Sequence, residues 1–118
     1  MSRIVMKFGG TSVGSVDRIK NVSNIVQSVY DEGHEVVVVL SAMAGETDRL
    51  INLTKDISDD FNKEEYDVVI SSGEQVSVGL LAAALHENGI SAKSCLGWQI
   101  PIITSNDHKS ARIEGIRS

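Results

Sequence analysis

The chain has 118 residues, 42% of them hydrophobic, and its 16 acidic against 11 basic residues give a formal net charge of −5. That length suits one compact domain, or part of one, with a real core, and it is short for two. The acidic balance supplies no sequence-independent attraction to nucleic acid or to an anionic membrane.

The single cysteine, Cys95, can close no intramolecular disulfide and has no CxxC partner, which fits a reducing compartment. Consecutive apolar runs such as Val36 to Leu40 fall far short of the roughly 18 to 20 residues that span a bilayer. The chain opens on a strand-like segment without a basic-then-apolar signal layout, so a soluble cytoplasmic protein is expected.

Arg3 to Phe8 is a short β-rich run that gives way to Gly9, Gly10, Thr11, Ser12, Val13, Gly14 and Ser15, the composition of a backbone-exposing turn. Ser15 is a candidate N-cap with Asp17 in the first turn. Ile19, Val22, Ile25, Val26 and Val29 then recur at three- and four-residue steps, predicting an amphipathic helix closed by Gly33. Val36 to Leu40 is apolar without alternation, as expected of a strand buried on both faces of a parallel sheet. Strand, helix and strand at this spacing make a βαβ unit.

Ser41 to Gly45 is a second small-residue loop, at the carboxyl end of a strand, where open α/β sheets place their ligands. Thr47 is a candidate cap for a short helix through Leu50, Leu53 and Ile57. The polar stretch from Asp59 to Glu65 suits a solvated connection or a helix start. Val68 to Leu85 is helix-like, with an expected interruption around Ser71-Ser72-Gly73-Glu74, and its second half is apolar enough for the interior of a layered fold. Beyond Gly89, Ser91 to Leu96 and Ile100 to Thr104 read as two further strands.

Three constellations could carry chemistry. In Lys7-Phe8-Gly9-Gly10-Thr11-Ser12 a strand-end lysine precedes two glycines at a turn into a helix, an arrangement that can present N–H groups and an ammonium to phosphate oxygens. The same turn could simply be a tight connection. It is neither a Walker A loop nor a dinucleotide fingerprint, because the lysine comes first and glycines 9, 10 and 14 miss the GxGxxG spacing. Ser41 and Thr47 flank the second loop as hydroxyl donors, for capping or for binding. Glu74, read at the head of an apolar helix, could complement the helix dipole or meet a substrate ammonium. His34, His86 and His108 are too scattered for a metal site and suit surface or capping roles, and Trp98 suits core packing or an interface.

Lys7-Phe8-Gly9-Gly10-Thr11-Ser12-Val13, Ser41-Ala42-Met43 with Gly45-Glu46-Thr47-Asp48-Arg49-Leu50, Ser72-Gly73-Glu74 and Gly97-Trp98-Gln99 together resemble the aspartate kinase family in order and spacing. The resemblance extends over residues 1–118. It implies an α/β amino-acid kinase (carbamate kinase-like) fold, a three-layer α/β/α sandwich with a mostly parallel sheet, of which this chain is the N-terminal part, without ACT domains. The implied reaction is phosphoryl transfer from ATP, with Mg²⁺ accompanying the nucleotide, to the side-chain carboxylate of L-aspartate, the first step toward lysine, threonine and methionine.

By the same resemblance, Lys7 contacts the transferring phosphoryl group as the catalytic residue. Phe8, Gly9 and Gly10 form the ATP-phosphate loop, with N–H groups of the two glycines donating. Thr11, Ser41, Thr47 and Glu74 hold aspartate, Glu74 through its α-ammonium. Phosphoryl transfer depends on positioning and charge stabilisation, so no general base is required.

A downstream glycine-rich segment with an arginine and an aspartate, and the family's later nucleotide-binding elements, are not in these residues. Either a homo-oligomer or a complementing C-terminal segment is therefore the expected partner, and the alternative is a non-catalytic binding module that retains the phosphate loop. Ser105 stands where the family usually has aspartate, and Lys109 where it usually has glycine. A parallel sheet cut partway would leave an open edge and an uncovered apolar face.

Overall fold

The structure is a computed structural model that describes residues 2–99 and 102–116. Arg3–Phe8 (β1) enters a 3₁₀ turn over Gly10–Val13, followed by Val16–Asp31 (α1), Glu35–Leu40 (β2), Glu46–Ile57 (α2) and Lys63–Glu87 (α3). The short strands Ile102–Thr104 (β3) and Ile113–Ile116 (β4) close the order. β1 and β2 pair in parallel, Arg3 against Glu35 through Phe8 against Leu40, while β3 and β4 form an antiparallel hairpin.

The expected βαβ unit forms with its expected ends. Ser15 caps α1 by accepting from the Arg18 N–H at 3.2 Å, and Asp17 lies in the first turn. At the other end Gly33 takes the left-handed conformation, φ 93°, and its N–H donates to the Tyr30 carbonyl. Ile19, Val22 and Val26 of α1 are buried against Leu81 and Leu85 of α3, and Met6, Phe8, Val36 and Val38 of the sheet pack against this cluster. Both helices therefore cover the same face of the β1–β2 sheet.

The opposite face departs from expectation. Val36 and Val38 are half-buried, but Val37 and Val39 remain 45% and 46% exposed, with Val5 at 65%. The consecutive apolar run predicts cover on both faces, and among the described residues only one face receives it.

α3 also differs. Instead of breaking at Ser71-Ser72-Gly73-Glu74 it runs without interruption from an Asn62 cap whose side chain accepts from the Glu65 N–H. The serines are tolerated because their hydroxyls donate back to the carbonyls of Val68 and Val69. The helix is long and apolar enough, by length and composition, to cross a membrane. Gly73, Ser77, Leu81 and Leu85 are its buried face, whereas Val76 and Leu80 are exposed rather than interior.

Residues 91–96 do not form the expected strand. They line a groove of about 1180 Å³ together with residues 36–40 of β2 and part of α3, without joining the β2 ladder. His86 Nε2 lies 2.6 Å from the Ala92 carbonyl and fastens the start of this segment. The expected strand Ile100 to Thr104 is observed as β3; its first two positions, and the side chain of Trp98, lie outside the described residues.

The hairpin is tied to the start of α3 by polar contacts. His108 Nδ1 sits 3.2 Å and the Lys109 N–H 3.3 Å from Asp67 Oδ2, and the Lys109 ammonium lies 5.0 Å from the centre of the Tyr66 ring. Lys109 adopts φ 74°, the left-handed conformation that glycine accepts most readily and other residues hold under strain. Ser105 closes the hairpin by accepting from the Arg112 N–H at 3.0 Å.

Candidate active site

Parallel pairing brings the carboxyl ends of β1 and β2 side by side, and the two loops that follow are stitched together by their backbones. The Ser41 N–H donates to the Phe8 carbonyl at 3.2 Å and the Ala44 N–H to the Gly10 carbonyl at 3.1 Å. A side chain at Gly10 would press its Cβ to 3.1 Å from the Ala42 carbonyl oxygen, so glycine there permits the loops to touch. Gly9 is different. It is exposed, and a Cβ added to it would meet nothing within 4 Å, so the space above the turn is open to a ligand.

Lys7 is the last outward-pointing residue of β1, exposed on the uncovered face and paired in register with Val39. Phe8, one residue on, points inward and packs on the core, which fixes the strand end from which the loop departs. Thr11 is exposed within the 3₁₀ turn, whose opening N–H groups have no acceptor inside it. Among the described residues no three His, Cys, Asp or Glu side chains converge to hold a metal ion.

α3 is fixed against the second loop at two points. The Ser77 hydroxyl, fully buried, donates to the Ser41 carbonyl at 2.7 Å. Gly73 approaches Ala42 so closely that a Cβ would lie 3.0 Å from the alanine methyl and 3.4 Å from Leu50 Cδ1. Ser77 was not among the expected site residues. The signal is the small pair Gly73 and Ser77, four residues apart and hence on one helix face, which marks a close backbone approach.

These contacts place Glu74 beside the second loop, on an exposed turn of α3 that lines the groove with residues 36–40. Glu74 lies well inside α3 rather than at its head, so helix-dipole compensation, one of the two roles open to it in the sequence, does not apply. Ser41 does not cap a helix; its backbone joins β1 to α3. Thr47, half-buried, sits in the first turn of α2, and the cap position is held by Gly45 instead.

Glu46 and Arg49 form a two-pronged ion pair across the first turn of α2. The hydrogen bond from the guanidinium, reinforced by its charge, holds the Glu46 carboxyl below its ordinary range, and the same pair raises Arg49. The structure thus joins Phe8 to Ser41 and Gly10 to Ala44 through direct backbone bonds, carries Lys7, Gly9 and Thr11 on the first loop and its strand, and sets Thr47 and Glu74 on helices anchored to the second.

A strand-end lysine and two stitched loops thus lie together at the carboxyl end of a parallel pair of strands, where α/β sheets place their ligands. The amino acid kinase family model matches residues 2–117, and the chain belongs to that family. Over 116 residues it is 53% identical to the aspartokinase of Geobacillus stearothermophilus and 50% identical to aspartokinase 2 of Bacillus subtilis, in each case across 98% of this chain and 28% of the relative. The crystal structure of aspartate kinase from Synechocystis superposes with a TM-score of 0.80 at 45% identity, over 83% of this chain and 17% of that one. The chain therefore spans little more than a quarter of the length of the curated relatives it matches.

Proposed function

We propose that this chain supplies the phosphate loop and part of the aspartate pocket of an aspartate kinase, ATP + L-aspartate giving ADP + 4-phospho-L-aspartate, in the cytoplasmic route to lysine, threonine and methionine. The observation that carries the proposal is the stitching of the two loops: Phe8 to Ser41, Gly10 to Ala44 and Ser41 to Ser77 hold the lysine strand, the glycine turn and the Glu74 helix as one rigid corner.

In this reading the Lys7 ammonium faces the transferring phosphoryl group and offsets charge on its oxygens, while the Gly9 and Gly10 N–H groups donate to the same oxygens, with Phe8 anchoring the turn. The open space at Gly9 fits a phosphate group lying against the backbone. The hydroxyls of Thr11, Ser41 and Thr47 orient aspartate, and the Glu74 carboxylate pairs with its α-ammonium. Mg²⁺ enters with ATP and supplies charge neutralisation on the phosphates. The chain works with further polypeptide, either a second copy or the segment that follows in its relatives.

A non-catalytic binding module that retains the phosphate loop is the second reading. Aspartate binding tests the pocket directly. Titration of L-aspartate into the protein, followed by backbone amide shifts, should perturb Ser41, Thr47 and Glu74 and lose at least tenfold in affinity in Glu74→Ala. Shifts that map elsewhere, or that Glu74→Ala leaves unchanged, would remove this assignment.

A further inference from the structure

Hydroxyl side chains inside these helices share a habit. Ser23, Ser28, Thr54, Ser71 and Ser72 each donate to a carbonyl three or four residues back in their own helix. Ser77 departs from it. Its buried hydroxyl lies 2.7 Å from the Ser41 carbonyl oxygen, in another part of the chain, and 3.1 Å from the Glu74 carbonyl of its own helix. A hydroxyl has one proton to donate. The Glu74 carbonyl lies well inside α3, where the backbone ladder supplies an N–H, whereas among the described residues no backbone N–H is bonded to the Ser41 carbonyl. The proton therefore goes to Ser41.

The backbone of Ser41 is thereby held from both sides: its N–H donates to Phe8 and its carbonyl accepts from Ser77. These bonds differ in kind. Phe8 to Ser41 and Gly10 to Ala44 tie the glycine turn to the second loop through backbone atoms, which no change at position 77 removes. The seating of α3 on that loop depends instead on two side-chain features. The contact of Gly73 with Ala42 limits how near the helix can come, and the Ser77 hydroxyl holds it there. Glu74 lies one turn before Ser77 on the same helix, so this hydroxyl also sets how far its carboxylate stands from the Ser41 side chain.

We propose that Ser77 is a positioning residue for the amino-acid half of the site: its hydroxyl fixes the spacing of Glu74 and Ser41, and so acts on aspartate binding without acting on the glycine turn. The inference rests on the aspartate pocket proposed above and adds to it a residue that touches no ligand. An amino acid that meets Glu74 through its ammonium and Ser41 through another polar atom spans two separate elements. A small change in their spacing therefore weakens contacts at both ends.

The test has two readouts on this chain: L-aspartate affinity, from backbone amide shifts, and hydrogen exchange at the Ser41 and Ala44 amides without ligand. Ser77→Ala is expected to lower the affinity at least tenfold while both amides exchange within threefold of the unaltered rate. Ser23→Ala removes an equally buried hydroxyl whose bond stays within its own helix, and it should leave the affinity within threefold. Circular dichroism reports whether each variant folds. Should Ser77→Ala unfold, Gly73→Ala takes its place, because the added Cβ pushes α3 off Ala42 and is expected to give the same selective loss. Three results would overturn the role of Ser77 and leave the pocket standing: an affinity within threefold of the unaltered chain, a loss matched by tenfold faster exchange at Ser41 and Ala44, or an equal loss in Ser23→Ala. An unaltered chain that shows no aspartate shifts would instead remove the pocket itself, and the positioning role with it.

Discussion

The two faces of one small sheet are built from the same kind of residue and meet different fates. Ile4, Met6, Phe8, Val36, Val38 and Leu40 turn toward α1 and α3, while Val5, Val37 and Val39 alternate with them toward open space. Strand propensity is equal on the two sides, so the difference lies in which helices the chain brings to the sheet. A parallel pair of strands can form its ladder with one face covered, but it retains the valines of the other as an unmet demand for packing. The stitched corner lies on the boundary: Phe8 is held from below by the core, and Lys7, its neighbour, projects from the bare side.

Truncating each face should expose this asymmetry most strongly. Leu81→Ala, which opens a hole where α3 meets the core cluster, is expected to lower stability by about 2–5 kcal/mol. Val37→Ala on the bare face should cost less than about 1 kcal/mol, because a half-exposed side chain leaves no cavity behind. Urea denaturation measures both, and equal losses would mean that the outer face is already covered in solution.

The hairpin offers a milder contrast, since its described attachments to α3 are polar rather than apolar. Lys109 combines an unfavourable left-handed backbone with a favourable stacking of its ammonium on Tyr66. Lys109→Ala should lose about 0.5–1 kcal/mol, because it keeps the strain and discards the stacking. Lys109→Gly should sit within about 0.5 kcal/mol of the unaltered chain, as the relief of strain offsets the lost contact and the added backbone freedom. Thermal melts of the two variants give the order, and alanine at or above glycine would contradict the backbone account.

The smallest expected effect is on α2. Arg49 holds the Glu46 carboxyl below its ordinary value of 4.5, so the stabilisation from this pair is fully present above that pH and is lost as pH falls through the lower folded value. The difference in Tm between the unaltered chain and Glu46→Gln should thus be constant near neutrality and shrink under acid. A difference that grows on acidification would reverse the sign of the coupling.

Much of this architecture is legible in the residues. Ser15, Asp17 and Gly33 mark α1 at both ends because caps are local chemistry, and the three-to-four residue spacing of Ile19, Val22 and Val26 gives its buried face. The unbroken course of α3 is harder to read, since Ser71, Ser72 and Gly73 resemble a break until their hydroxyl bonds and the contact with Ala42 are known. The bare valines and the unpaired course of residues 91–96 are illegible for another reason. An apolar run states what a strand needs to bury and says nothing about whether its cover is present. Lys109 lies between these cases: its place in a polar connection is visible in the sequence, and its left-handed φ is not.

The most direct measurement is acyl-phosphate formation from L-aspartate and ATP with Mg²⁺, coupled to ADP release, in this chain co-expressed with the remainder of a relative, for the unaltered chain and for Lys7→Ala. Turnover that falls by about 100-fold or more in the variant, with the complex intact, is the predicted result for a group that meets the transferring phosphoryl. Equal turnover in the two preparations would contradict the role assigned to Lys7 and, with it, the reading of the glycine loop as the phosphate site.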